Sequence, residues 1–165
     1  MAGLISNLIE VLQGQTKLFN DIAALSDDKR EFTVKNDIES LRGIVKQENE
    51  IVPKMLKGDK KRESIMTDLA TVLNKNKDDL TLTLLEEIIR GQPEHGLFKQ
   101  TVDEFIAALE KMKEGNERAK VLLQDAIDYV EFNMNILHSS MDAGPVGYGA
   151  LEDGHQPGSF LDTRS

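Results

Sequence analysis

"EIVPKMLKGDKKR", residues 50–62, places Pro53 and Gly58 five residues apart inside a charged helical stretch. A loop here would divide the chain into short helices packed as a compact bundle. A helix running through both residues would instead make one long element with extended side faces. The loop has local support, because the residue before a proline leans extended, Gly58 suits a C′ position and Asp59 an N-cap. Against it, Lys60, Lys61 and Arg62 would then fill a first helical turn, where the helix dipole disfavours cations. The apolar pattern decides. Ile38, Val45, Val52, Met66 and Leu73 share one heptad position and Leu41, Met55 and Leu69 another, so the phase is the same on both sides of the proline and the glycine. Two helices joined by a loop have no physical reason to keep phase, whereas one helix keeps it automatically. The spacing therefore predicts a single kinked helix over 36–75. Such a helix releases the Asn49 carbonyl and carries roughly 3 kcal/mol for the proline and ~1 kcal/mol for the glycine, offset by packing along its length.

On the N-terminal side, Leu4, Val11, Leu18 and Leu25 recur every seven residues, flanked by Leu8 and Ile22 on one side and Ile5, Leu12 and Phe19 on the other. Three adjacent apolar rows describe a helix buried in a bundle, and "SDDKRE" is expected to end or interrupt it near residue 27. On the C-terminal side, "NKNKDD" (74–79) is a polar break, and "LTLTLLEEIIR" (80–90) reads as a short helix starting near Thr81 or Thr83, since no second strand exists to pair with it. "GQPEHG" (91–96) is a turn. A third long helix is expected over 98–141, with Val102, Leu109, Leu123, Val130 and Leu137 in one row and Phe105, Met112, Ala119 and Ala126 in the next. Asn116 and Asn133 fall in these core rows, where a buried asparagine fixes register; Gly115 beside Asn116 is the alternative, as a bend. The expected fold is all-α: an elongated antiparallel bundle or coiled coil of three long helices and one short one. It forms a helical domain over 1–141, followed by a Gly/Pro-rich tail over 142–165.

Composition narrows the function. The 165 residues carry a net charge of −9, which argues against a nucleic-acid binder. With no cysteine there is no disulfide and no thiolate metal site, and a reducing compartment is the natural setting. "MAGLISNLIEVLQGQ" has no basic n-region and holds Glu10 inside its apolar run, unlike a signal peptide. No stretch approaches the ~18 apolar residues of a membrane span. A soluble cytoplasmic protein is expected.

Chemistry-bearing residues are few. Of the three histidines, His95 is read in a turn, His138 near a helix end and His155 in the tail, and solvation accounts for all three. No Glu-x-x-His spacing falls on an expected helix and no Gly-rich phosphate loop occurs, so neither a metal nor a cofactor is expected and the chain is read as non-enzymatic. A phosphorelay role for His95 is disfavoured by its turn position, because a phosphoryl acceptor needs a rigid helix face. "KGDKKRE" forms a basic island in an acidic chain, read as a solvated face or a partner contact. Met55, Met66 and Met112 fall in core rows. Met134 and Met141 lie beside Tyr129, Val130, Phe132, Ile136 and Leu137, where apolar residues occupy more than one helix face. A helix apolar around most of its circumference is buried or meets a partner, and Met-rich helical surfaces suit amphipathic helices.

The order "LIEVLQGQTKLFNDIAAL", "VKNDIESLRGIVKQENEIVPKMLKGDKKRESIMTDLATVL", "LTLTLLEEI" and "NERAKVLLQDAIDYVEFNMNIL", with Arg62, Asn116 and Tyr129 at their places and a "Y-G…FLD" tail, resembles the FlgN-type flagellar export chaperones over nearly the whole chain. The resemblance implies a cytosolic chaperone for hook-filament junction proteins, which prevents premature assembly and passes its cargo to the export apparatus. Carried onto this sequence, cargo capture falls on Tyr129, Phe132, Met134, Ile136, Leu137 and Met141. Tyr148, Phe160 and Leu161 of the tail are assigned further contacts with cargo or the export gate. The alternative is a self-assembling coiled-coil scaffold, with the end of the third helix as a dimer interface; the resemblance leaves monomer and homodimer open.

Overall fold

The computed structural model describes the backbone of residues 1–142 and the side chains of all but 130, 133 and 137–142. These residues are all-α: α1 (Ala2–Val34), α2 (Ile38–Val72), α3 (Leu82–Ile88) and α4 (His95–Asp142), with one 3-10 turn at Lys77–Asp79. They form two compact units, Met1–Ala119 and a second beginning at Lys120.

Local chemistry sets the helix ends. Asn36 takes a left-handed φ of 55°, the Asp37 N–H donates to the Phe32 carbonyl at 2.9 Å and the Asn36 N–H to Thr33 at 3.1 Å. Asn74 (φ 52°) repeats the arrangement after α2, with the Lys75 N–H on Ala70 and its own N–H on Thr71. Both are Schellman ends with asparagine in place of glycine. α2 starts at once after the first, because the Asp37 carboxylate accepts from the Ser40 N–H at 3.1 Å and from its hydroxyl at 2.7 Å. The Thr81 hydroxyl accepts from the Leu84 N–H and starts α3.

α1 therefore does not stop near residue 27. "SDDKRE" continues the helix: Asp27 and Asp28 are exposed, while Lys29 reaches across to Glu48 of α2 at 2.7 Å and Phe32 packs against the apolar cluster of Ile22, Leu25 and Ile44. A charged run ends a helix only when its backbone finds another partner, and here the first such partner comes at Asn36.

α2 is one helix with Pro53 inside it. Gly58 is neither a hinge nor a cap. A Cβ there would stand 3.1 Å from the Cγ of Gln15, so the glycine allows α1 and α2 to approach closely. A Cβ at Gly115 of α4 would stand 3.6 Å from the Ser26 Cβ, an ordinary contact, and its helix passes through it without a break.

Within the first unit, Lys29 meets Glu48 and Gln15 meets Gly58, so α1 and α2 are antiparallel. Phe19 stacks on Phe105 with ring centroids 5.4 Å apart, and Ser26 lies by Gly115, so α4 runs parallel to α1. The three helices meet along 3-4-3-4 seams: Ile5, Leu8, Leu12, Gln15, Phe19, Ile22 and Ser26 on α1; Leu41, Ile44, Glu48, Ile51, Met55, Gly58, Arg62, Ile65 and Leu69 on α2; Phe98, Thr101, Phe105, Ala108, Met112, Gly115 and Ala119 on α4. This is the spacing of left-handed helix packing. α3 closes one end, where Leu85 and Ile89 join Ile5, Leu8, Leu69 and Phe98 in the main core.

On each helix one row read from the sequence lies in the seam (Ile5–Leu12–Phe19, Leu41–Met55–Leu69 and Phe105–Met112–Ala119), and another row stands one position from it. Leu4, Val11 and Leu18 are only half-buried, and Ile38, Val45 and Val52 are exposed. Met66 and Leu73 are half-buried against the main core, so the row that carried the argument for a continuous α2 is buried only at its C-terminal end. Asn116 is exposed and fixes no register; the buried neighbour is Gly115. Met55, Met66 and Met112 do pack against the core.

Candidate functional site

The second unit presents a helix whose sides differ from those of the three-helix seam. On α4 beyond Lys120, Tyr129, Phe132 and Ile136 follow the i, i+3, i+7 spacing that places them on one side, and they are 67%, 60% and 49% exposed. Met134 is 50% exposed and lies on another side. Exposed Val121 was not among the residues singled out from the sequence, and Leu123, read there as part of a core row, is exposed instead. Val121 precedes Phe132, and Leu123 precedes Met134, by eleven residues, or about three turns, so each extends an apolar stripe. A heptad reading passes over that interval. With half-buried Leu122, Ala126 and Ile127, apolar side chains occupy about two-thirds of the circumference, interrupted by exposed Asp125, one turn before Tyr129 on the same side.

The remaining third is polar: Lys120, Gln124, Asp128, Glu131 and Asn135. The Gln124 amide donates to the Asp128 carboxylate at 2.8 Å across one turn. Residues 120–142 hold one lysine against Asp125, Asp128, Glu131 and Asp142, so the apolar surface has acidic surroundings. Burying an amphipathic helix, with the Tyr129 phenol as a polar handle at its edge, is what such a surface does chemically. The side chains of Leu137 and Met141, and all of Tyr148, Phe160 and Leu161, lie outside the described residues, as do the side chains of Val130, Asn133 and His138 and the whole of His155.

His95 is placed differently from its sequence reading. It opens α4 rather than sitting in the preceding turn, and it is half-buried. Its Nε2 lies 3.5 Å from the Glu86 carboxylate of α3, an ion-pair separation too long for a well-formed hydrogen bond, and Lys99 approaches the same carboxylate at 4.0 Å. The imidazole thus belongs to the α3–α4 junction and is not simply solvated. The basic island is divided in a similar way. Lys60 and Lys61 are exposed, whereas Arg62 lies 5.4 Å over the Phe105 ring and pairs with Asp59, covering the core from outside.

Among the described residues, no group of three or more histidine or acidic side chains is placed to hold a metal ion, and no helix is long and apolar enough to cross a membrane. A shallow depression between α1 and α4, lined by Thr16, Asn20, Glu104, Ala107, Ala108 and Lys111, brings together no acid–base pair suited to catalysis.

Neither the curated proteins nor the solved structures contain a match to this chain. The family model described as FlgN protein matches residues 1–152, nearly the whole sequence. The chain belongs to the FlgN family, whose members are non-enzymatic flagellar export chaperones.

Proposed function

We propose that this protein is a cytoplasmic chaperone that binds the helical terminal region of hook-filament junction proteins, prevents their premature assembly and delivers them to the flagellar type III export apparatus. Family membership supports hook-associated proteins as the class of partner. The observation that carries the site is the exposed Tyr129–Phe132–Ile136 stripe, with Met134 on a neighbouring side. A cargo helix laid on this surface buries its own apolar face, and that burial removes the surface through which junction proteins would assemble early. Leu137 and Met141 extend the surface by sequence position, while Tyr148, Phe160 and Leu161 supply tail contacts, including contacts with the export gate. The acidic surroundings keep the loaded complex soluble and steer it away from nucleic acid.

The test is titration of the full chain with a synthetic C-terminal peptide of a hook-filament junction protein, beside a Y129S/F132S/I136S variant. Removal of three exposed side chains leaves the helical circular dichroism unchanged and lowers affinity by about tenfold or more. Equal affinity of the two proteins would place the cargo site elsewhere. A chain truncated after residue 142 reports on the tail, since competition between tail and cargo makes the truncated chain bind more tightly. Sedimentation separates the self-assembling scaffold: an oligomer that the triple variant dissociates would favour that reading instead.

A further inference from the structure

α2 carries a second apolar stripe that the bundle does not use. Ile38, Val45, Val52 and Leu56 are 57%, 47%, 46% and 60% exposed. With exposed Arg42 and Asn49 between them, they continue a 4-3-4-3-4 spacing, so six positions from 38 to 56 form one straight seam about 27 Å long. This seam lies about 110° around the helix from the one that packs on α1. Its outer flank holds Arg42, Lys46, Lys57 and Lys60 against Glu39, which pairs with Arg42 at 3.7 Å, and Glu50, one heptad before Lys57. Among the described residues, Lys46, Lys57 and Lys60 form no ion pair. A net-acidic chain thus displays one narrow apolar seam with a basic border.

We propose that the Ile38–Leu56 face of α2 docks one amphipathic helix from a partner protein, about five turns long, with acidic residues along one edge. The heptad spacing fits a helix, because knobs every three and four residues interdigitate with a partner of the same period. The border selects the sign of the partner's charge. A second copy of α2 is disfavoured: in an antiparallel pair like flanks face each other, so Lys46 and its basic neighbours would oppose their own copies, while in a parallel pair the basic flank would need the side of α2 already packed on α1. A lipid surface is disfavoured by Arg42 and Asn49, which interrupt the apolar positions of a stripe too narrow for a membrane-lying face. This inference is independent of the distal α4 site.

The probe is a labelled three-heptad peptide with Leu at the seam positions and Glu along both edges, compared with the same peptide bearing Lys at those edges, each titrated into the full chain by fluorescence anisotropy. The Glu peptide binds about tenfold or more tightly than the Lys peptide. V45S/V52S abolishes the difference, F132S leaves it intact, and R42E/K46E/K57E/K60E reverses the preference. All of these substitutions lie at exposed positions, and circular dichroism verifies that each variant is folded. Equal binding of the two peptides, binding unaffected by V45S/V52S, a dimer in sedimentation that V45S/V52S dissociates, or flotation with anionic vesicles that V45S/V52S abolishes would each overturn the proposal.

Discussion

Replacing Gly58 by alanine sets two effects of similar size against each other, and Gln15 decides between them. Gly58 lies inside α2 with an ordinary right-handed backbone, so alanine gains about 1 kcal/mol of helix propensity. The new Cβ, however, would stand 3.1 Å from the Gln15 Cγ, inside the ~3.5–4.0 Å at which carbon atoms attract. Gln15 is buried, and its Oε1 has no hydrogen-bond partner, so the side chain gives way only by moving against the core. Overpacking of this kind costs about 1–3 kcal/mol, and a single methyl group belongs at the lower end. The two effects leave G58A neutral to about 1 kcal/mol less stable.

In a Q15A background the opposing Cγ is gone, and G58A stabilises the protein by about 1 kcal/mol, the full propensity gain. The double-mutant coupling is then about 1–2 kcal/mol. Urea titration followed by far-UV circular dichroism measures it, with an unchanged denaturant slope as the condition for comparing midpoints. Circular dichroism is the suitable signal because the chain has no tryptophan and two tyrosines. In thermal melts of a chain of this size, 1 kcal/mol corresponds to a shift of about 2–4 °C. The same free-energy change in both backgrounds would refute the close approach of α1 and α2 at this level. A comparable loss in both would mean that Gly58 uses a backbone conformation closed to alanine, as the loop reading requires.

Two further perturbations probe the chain at other points. The Ser40 hydroxyl and then its backbone N–H hold the Asp37 carboxyl below the usual carboxylate range, so this cap contributes stability above the ordinary Asp pKa of about 3.9 and loses it as pH falls through the lower folded value. D37A therefore melts below the parent at neutral pH, and the gap closes in strong acid; a gap independent of pH would exclude the carboxylate as its source. Lys29 and Glu48 bridge α1 and α2 with most of both side chains out of water, so E48L alone leaves an unpaired ammonium and costs about 1–3 kcal/mol, while K29M/E48L together is near neutral. Urea midpoints of the two single variants and the double variant test this, and additive losses would show that the pair is not coupled.

The all-α class, the four helices and the passage of α2 through Pro53 were legible because they rest on period and on polar breaks, which survive small errors of phase. The seam itself was legible only in part, with one row of each helix in place and another off by one position. α1 has apolar residues in three adjacent rows, so Leu4–Val11–Leu18 and Ile5–Leu12–Phe19 are equally good heptads on paper. Only burial tells them apart, and it selects the second. The seam also includes Gln15, Ser26, Gly58, Arg62 and Gly115, which an apolar count discards because they contribute close approach or a ring contact rather than aliphatic bulk. Asn116 was misplaced for the same reason: it sits one residue from the true seam position, and that position is a glycine. The end of α1 was missed because charge was taken as the stop signal. The stop is the left-handed Asn36, and the charges of "SDDKRE" are a solvated helix face with one cross-helix bond. On distal α4, the apolar identities were visible in the sequence, but the eleven-residue link from Val121 to Phe132 and from Leu123 to Met134 was hidden by a seven-residue template.

A one-position shift of seam on α2 has a functional consequence. With the seam on Leu41–Glu48–Met55, the row that seemed to form the core, Ile38–Val45–Val52, is left on the surface. Single exposed aliphatic residues are common and need no explanation. Aliphatic residues repeated every seven positions along an exposed face are different, since each adds a solubility cost and none contributes to the core. The same reasoning applies to Tyr129, Phe132 and Ile136, at three- and four-residue spacing on α4. What separates the two stripes is charge: Arg42, Lys46, Lys57 and Lys60 border the first, and Asp125, Asp128 and Glu131 lie around the second. A partner helix suited to one border is repelled by the other. Two apolar stripes with opposite borders therefore select two different partners: V45S/V52S weakens binding of the Glu-edged peptide and leaves the junction-protein peptide bound, and Y129S/F132S/I136S does the reverse.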